Sequence, residues 1–513
     1  MPHCKHRTDR RYLQQDASDI TTLSNSNPLT IPNIRQIAPE TQGYNKNYSS
    51  VSTSPLLRRL NILDSLQQEP LEQSAPAWLL KLRIVTRALR HRNFRLFISG
   101  QLLSLIGTWV QSVAQSWLVY RLTDSSVMLG LVGFASQLPY LLLSPVAGVI
   151  ADRVNRRNLV TLTQILAAIQ AVVLAVLTLT GTVKPWQIFC LALGLGIVGV
   201  FDMTGRQSFL VEMVGKEDLM NAIALNSSVY NSGRVLGPAI AGVLVAVIGE
   251  GWCFVVNAIS FLGVIAGLQM MRLPAHLPHP SVASGWQRFS EGWNYVSTDR
   301  PSRSLLLLLG ISSIANYPFL VLMPIFADRI LHGGPQTLGL LMSATGVGAV
   351  VGAIYMAART GLRGLSRTIV VSTLVYSVAL FLFALSRNTQ FSILMLAVTG
   401  AGLLLSVAGT NTALQTIVPD ALRGRVVGFY GMMLMGMAPL GSLLGGWLAG
   451  LIGAPYTVAL GAVVCIFAAL TFNRRRPIIR AALLRSSIAD ATGMMAAPAP
   501  ILAENVTGKQ GSD

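Results

Sequence analysis

The chain has 513 residues, of which 52% are hydrophobic and 12% charged, and its mean hydropathy is +0.54. A soluble chain would carry about 25% charged residues, so the composition excludes a soluble globular protein and points to a membrane protein. The net charge of +18 does not imply nucleic acid, because the basic residues sit mostly in short segments between apolar runs, where they orient a membrane protein.

Residues 1–80 are rich in Ser, Asn, Gln and Pro and read as a disordered cytoplasmic tail. Cys4 beside His3 and His6 has no metal-site spacing, and Cys190, Cys253 and Cys465 fall inside apolar runs, so neither a metal nor a disulfide framework is expected. The basic amphipathic stretch "WLLKLRIVTRALRHRNFRLF" is suited to a membrane surface. Twelve apolar segments of about 20 residues follow, the length a helix needs to cross a bilayer. They lie near 95–120, 127–150, 159–180, 186–208, 220–248, 252–271, 304–327, 337–358, 368–387, 391–414, 426–450 and 454–472. Only helices satisfy the backbone of such segments in lipid. The expected fold is therefore an all-α membrane protein of twelve transmembrane helices.

Alternate loops, beginning with that between spans 2 and 3, hold Arg153, Arg156, Arg157, Arg300, Arg303, Arg359, Arg363, Arg367, Arg423 and Arg425. The opposite set holds Arg121, Lys184, Arg329 and Arg387. Positive charge stays inside, so the basic loops and both termini are expected in the cytoplasm of a plasma (inner) membrane protein. The longest loop divides the chain into a six-helix bundle over 81–271, a linker over 272–303, a second bundle over 304–472 and a tail over 473–513. Trp286, Phe289 and Trp293 fall at helical intervals in that linker, which predicts an amphipathic helix. Shifting residues 205–249 by 204 lays Gly205, Leu210, Val214, Gly237, Gly242, Leu244, Ile248 and Gly249 on Gly409, Leu414, Val418, Gly441, Gly446, Leu448, Ile452 and Gly453. The two bundles are thus expected to be pseudo-symmetric, a layout of secondary transporters that hold substrate between their repeats.

Four clusters stand out against this background. "GVIADRVNRRNLV" places Gly148, Asp152, Arg153 and Arg156 in the turn after span 2, where Arg serves orientation but Asp does not. "GLGIVG" in span 4 matches a dinucleotide fingerprint, yet no strand precedes it and its glycines serve helix packing. Asp202 and Arg206, i and i+4 in span 4, form either a local ion pair or a proton-linked acid with its partner. In span 5, Ser227, Tyr230, Asn231 and Arg234 share one helical face, and Arg234 there costs at least about 2.5–3.5 kcal/mol on insertion scales. Their counterparts in span 11 are Gly431, Leu434, Met435 and Ala438, so the scaffold does not require the polar stripe. We read the stripe as cavity lining, with Arg234 facing an anionic or polar substrate or a coupling carboxylate. Asp328, at the end of span 7, reads as exposed.

Twelve spans, the repeat and "G-x-x-x-D-R-x-x-R-R" resemble the major facilitator superfamily. The resemblance implies a cytoplasmic latch carried by Asp152 and Arg153, with Gly148 allowing close packing and Arg156 supporting it. It departs from the family at Asn155, where Gly is usual. "GRVLGPAIAG" resembles the span 5 motif of proton-driven exporters in that superfamily, matched by Gly233, Gly237, Pro238, Ala241 and Gly242; its small residues permit tight helix packing and Pro238 removes one helical hydrogen bond. The stretch around it is similar to the enterobactin-exporter-like branch and related drug exporters. The implied function is proton-coupled export of a small siderophore-like or drug-like molecule by a monomer in the bilayer. An importer and a non-transporting receptor or scaffold are the alternatives. No nucleophile or metal constellation suggests an enzyme, no cofactor is implied, and no Walker-type phosphate loop suggests nucleotide-driven pumping.

Overall fold

The computed structural model describes residues 87–215, 217–271, 285–359 and 361–492, except the side chains of Pro145, Asp152, Ser208, 285–289 and 487–492. The tail over 1–80 and the N-terminal part of the basic stretch lie outside these residues. A short 3-10 turn, Arg87–Arg90, leads into α1 (Arg92–Thr123), α2 (Ser126–Arg153), α3 (Arg156–Leu179) and α4 (Pro185–Val214). Next come α5 (Leu219–Gln269), the linker helix α6 (Gly285–Thr298), α7 (Arg300–Val321) and α8 (Gly334–Ala358). The chain closes with α9 (Leu365–Leu385), α10 (Thr389–Ile417), α11 (Asp420–Leu434), α12 (Ala438–Ile452) and α13 (Ala454–Thr492). Among the described residues, eleven helical segments are long and apolar enough to cross a membrane. One of them, α5, has 51 residues, roughly 75 Å at 1.5 Å per residue and more than twice a bilayer core. Gly249 breaks it with φ 80 and ψ 168, so each limb is one span's length and the described residues hold twelve candidate spans.

The helices end where the sequence supplies caps. Ser125, Asn155, Asp299 and Asn388 each accept the backbone N–H three residues on, at the starts of α2, α3, α7 and α10. Asn155 has extended backbone (φ −62, ψ 117), so this turn needs no glycine; capping explains the departure from the family pattern. The repeat is visible in the backbone itself. Gly453, 204 residues after Gly249, adopts nearly the same conformation, φ 86 and ψ 156, between α12 and α13. Each bundle is also tied inside by a buried polar knot. In the first, Asn257 Nδ2 donates to Gln111 Oε1 at 2.7 Å and Gln111 Nε2 to Gln170 Oε1 at 2.8 Å. In the second, Asn316 Nδ2 donates to the Tyr376 hydroxyl at 3.1 Å, with Cys465 Sγ 3.5 Å from Asn316 Oδ1.

Two features differ from the sequence expectation. Span 11 is not one helix: α11 stops at Leu434 and α12 restarts at Ala438 with Pro439 in its first turn. A proline lacks the N–H and its ring clashes with the carbonyl one turn back, so the break falls just ahead of it. The last helix does not end at 472 but continues to Thr492, past Arg474, Arg475 and Arg476 and through Pro477.

Candidate functional site

The bundles meet along two seams, α5 on α8 and α2 on α12. Each seam is built on missing side chains. A Cβ on Gly242 would stand 2.7 Å from Pro335 O and 3.0 Å from Gly339 Cα, and one on Gly346 2.7 Å from Arg234 O. Across the other seam, a Cβ on Gly446 would stand 2.6 Å from Gly130 Cα, and one on Gly133 3.1 Å from Ser442 Oγ. Gly242 and Gly446 are equivalent in the repeat, so the same position makes both backbone-to-backbone closures. Gly233 and Gly237 serve a different purpose, seating Leu105 and Trp109 of α1 within their own bundle at 2.5 and 2.4 Å from the missing Cβ atoms. Ala241 is fully buried between these contacts, and the backbone stays helical through Pro238.

These inter-bundle contacts run from one end, which carries Asp124, Gly249, Gly333 and Gly453, to mid-span at Arg234 and Gly346. Toward the other end the seams part. Whereas α2 packs along α12, α11 packs on α6, α7 and α10 of its own bundle. Among the described residues, no heavy atom beyond the local backbone of their own helices lies within 4 Å of a Cβ position on Gly148, Gly424, Gly428 or Gly431. No neighbouring helix among the described residues packs on Gly148. Arg156, expected to support a latch between bundles, donates to Glu212 of α4 at 2.8 Å. Arg153 is exposed, and the Asp152 side chain lies outside the described residues.

Where the closed half gives way to the open half, the two polar clusters predicted separately come together. Arg206 Nε sits 2.6 Å from Asp202 Oδ2, an ion pair off the line of an aligned hydrogen bond. The other carboxylate oxygen of Asp202 accepts from Thr163 Oγ1 at 2.9 Å and Gln164 Nε2 at 2.8 Å, both on α3. Tyr230 of α5 lies within electrostatic reach of both members of this pair, and Tyr140 of α2 within reach of Asp202. Ser227 and Tyr230 are exposed, while Asn231 and Arg234 are half-buried. Asn231 Nδ2 donates to Ser227 O at 2.9 Å. Arg234 makes no ion pair and no side-chain hydrogen bond among the described residues. Its guanidinium thus keeps its full set of donors for something else. Arg206 Nη1 is also buried without a partner.

Sequence alone does not single out Thr163, Gln164, Tyr140 or the bridge from Gln137 Nε2 to the Tyr317 hydroxyl (2.6 Å), which crosses between bundles above the cluster. Polar residues inside apolar spans are the available signal; their partners lie on other helices. Asp328 also departs from expectation. It is half-buried in a π turn and accepts from the Tyr120 hydroxyl.

Comparison with known proteins agrees with this architecture. The family model for the transmembrane secretion effector matches residues 86–512. The chain is similar to the staphyloferrin A transporter of Staphylococcus aureus, 26% identical over 388 residues, covering 74% of this chain and 96% of that protein. It is similar to the enterobactin exporter of Escherichia coli, 27% identical over 377 residues, covering 72% and 88%. A bacterial homologue of the human lysosomal transporter Spinster, solved inward-facing and unoccupied, shares the fold with a TM-score of 0.55 at 16% identity, covering 78% of this chain and 98% of that one. The chain belongs to the transmembrane secretion effector family and is a multi-pass transporter of the major facilitator superfamily, not an enzyme.

Proposed function

We propose that the protein is a proton-coupled exporter of small, acceptor-rich organic molecules of siderophore or drug-like type, working by alternating access in the plasma membrane. The observation that carries this is Arg234, a guanidinium inside a membrane span with no partner in its own chain among the described residues. A cation there is costly and persists where it meets a ligand, and its planar fork suits carboxylate or phenolate oxygens. The open end bears Arg153, Arg363 and Arg423, and by the distribution of basic residues it faces the cytoplasm. The cavity is then open to the side from which an exporter loads, and Asp152 and Arg153 would latch the bundles when that end closes. Kinship with an enterobactin exporter and a staphyloferrin A transporter supports an oxygen-rich anionic cargo.

Asp202 is proposed as the proton carrier. Protonation would remove the charge that Arg206, Thr163 and Gln164 now face, freeing Arg206 to engage cargo beside Arg234. The test uses proteoliposomes with an imposed pH gradient and iron-free enterobactin or staphyloferrin A as probes. Gradient-driven movement that a protonophore stops, and that Asp202→Asn uncouples from pH, is the expected result. Transport driven by ATP, or by sodium at zero pH gradient, would overturn the proton reading; net flow into the cytoplasmic side would make the protein an importer.

A further inference from the structure

The last helix is longer than a span. α13 starts at Ala454, and a helix rising 1.5 Å per residue crosses the roughly 30 Å of a hydrocarbon core in about 20 residues, which brings it to Arg474. It nevertheless continues to Thr492. Its counterpart in the repeat, the second limb of α5, stops at Gln269, which the 204-residue shift lays on Asn473. The scaffold therefore does not require the added turns.

The face that α13 turns to lipid can be followed past that point. Within the span Tyr456, Leu460, Val464 and Phe467 recur every three or four residues and are 67%, 46%, 40% and 64% exposed, as side chains on the rim of a bundle are in a bilayer. The same stripe runs on through Arg474, Ile478 and Arg485, all exposed. The opposite face stays on the protein, where Phe472, Ile479 and Leu483 are buried. Arg475, exposed beside the stripe, reaches toward the first turn of α7, its Nη1 3.5 Å from Ser304 Oγ.

No acid balances these charges. The sequence has no Asp or Glu between Asp420 and Asp490, and among the described residues Arg474, Arg475, Arg480 and Arg485 make no ion pair. Orientation of the chain accounts for arginines at this end. It does not account for a helix that carries them onward with Ile478 and Leu484 still 46% and 44% exposed. Cations interleaved with exposed apolar residues suit the headgroup layer, where guanidiniums meet phosphate and aliphatic side chains reach the acyl boundary.

We propose that this end of α13 binds the headgroup of an anionic phospholipid, Arg474 and Arg475 holding its phosphate while its acyl chains lie on Phe467 and Leu470. A zwitterionic headgroup would bring its own cation beside the two guanidiniums, so the site prefers a net negative one. It is independent of cargo and of the direction of transport; the orientation proposed above fixes only that the inner leaflet supplies the lipid.

The test uses the purified full chain in detergent, offered equal amounts of phosphatidylglycerol and phosphatidylcholine with matched acyl chains, and reads the lipids it retains by native mass spectrometry. The parent should prefer phosphatidylglycerol. Arg474→Gln with Arg475→Gln should lower that preference by about tenfold, the scale set by two arginine contacts at an anionic surface. Arg474→Lys with Arg475→Lys should keep most of it, because an ammonium still binds phosphate as a point charge. Arg90→Gln with Arg363→Gln removes two exposed arginines elsewhere at the basic end and should leave it unchanged. In phosphatidylcholine nanodiscs all four proteins should melt alike, and added phosphatidylglycerol should raise the melting temperature of all but the Arg474→Gln, Arg475→Gln pair. A parent without preference overturns the site, as does a preference that survives Arg474→Gln with Arg475→Gln. An equal loss in the Arg90 and Arg363 pair overturns it too, reducing the effect to diffuse charge. Glycerol phosphate, the soluble headgroup, should fail to displace the lipid at equal concentration, since it lacks the chains that Phe467 and Leu470 hold; displacement would replace the lipid with a free phosphate ligand.

Discussion

The first limb of α5 and its repeat counterpart α11–α12 are the same span built twice, to different ends. They agree where the bundles close: Gly242 and Gly446 each bring backbone against backbone, and Gly249 and Gly453 turn the chain with nearly the same backbone angles. They differ half a span away. In α5 the helix is unbroken and bears Ser227, Tyr230, Asn231 and Arg234; in its counterpart Gly431, Leu434, Met435 and Ala438 occupy those positions and the helix is broken between Leu434 and Ala438. Recognition groups work best on rigid elements that fix their geometry, and a break in a span is where a conformational change is absorbed. We infer that duplication left closure to both copies but gave recognition to one and bending to the other.

The largest effect should come from removing the stripe. Arg234→Met is expected to reach the membrane at wild-type abundance, since it sheds an insertion cost of about 2.5–3.5 kcal/mol, and to lose nearly all transport. Arg234→Lys keeps the charge without the fork and should retain part of it. Abundance and transport measured together decide the matter. Normal transport per molecule in Arg234→Met would leave Arg234 as a packing residue and dissolve the division between the two spans.

Next in size is the shared feature. Gly242→Val and Gly446→Val push a side chain into backbone at 2.7 and 2.6 Å, with no flexible neighbour to yield, and overpacking of this kind costs about 1–3 kcal/mol. Both should lower the melting temperature of the purified protein by similar amounts. A large drop in only one would show that the two seams are not equivalent.

Much of this comparison is legible in the amino-acid sequence. The 204-residue shift pairs Gly242 with Gly446 and Gly249 with Gly453, because backbone approach and left-handed φ leave few choices but glycine. The twelve spans follow from hydropathy, which the bilayer enforces residue by residue. The break before Ala438 is hidden because "GMAPLGSLLGG" has the composition of an unbroken apolar span, and only the placement of Pro439 decides it. The cluster around Asp202 is half-legible: the i, i+4 pair with Arg206 is local, whereas Thr163, Gln164 and Tyr140 arrive from other helices. The bonds of Tyr120 to Asp328 and Gln137 to Tyr317 join residues 208 and 180 apart, a distance over which no periodicity speaks.

Bending can be tested by healing the break. A proline inside a helix costs about 3 kcal/mol, so Pro439→Ala should let α11 and α12 fuse. Hydrogen exchange at Met435–Met437 should slow, and transport should fall severalfold at normal abundance. Pro238→Ala, in a helix that is already continuous, should change exchange in α5 far less. Equal effects at the two prolines would mean that the break is incidental to the cycle.

The smallest expected effect concerns what α11 carries. The linker helix α6 rests on it: a Cβ on Gly292 would stand 2.9 Å from the Phe429 ring, Trp293 packs on Phe429 in a tilted pair with centroids 6.1 Å apart, and Arg425 pairs with Glu291. If α11 is the hinged piece, α6 travels with it. The ion pair is part-exposed and contributes about 0–1 kcal/mol, so Arg425→Ala should speed exchange in residues 290–298 by less than about fivefold and leave transport nearly unchanged. Phe429→Ala removes the apolar seat as well and should loosen α6 further, because aromatic pairs add about 0.5–1.5 kcal/mol beyond their buried area. Exchange in α6 that is untouched by Phe429→Ala would place its anchor elsewhere. A collapse of transport in Arg425→Ala alone would mean that α6 drives the hinge instead of following it, and the bending half of the molecule would then have to include the linker.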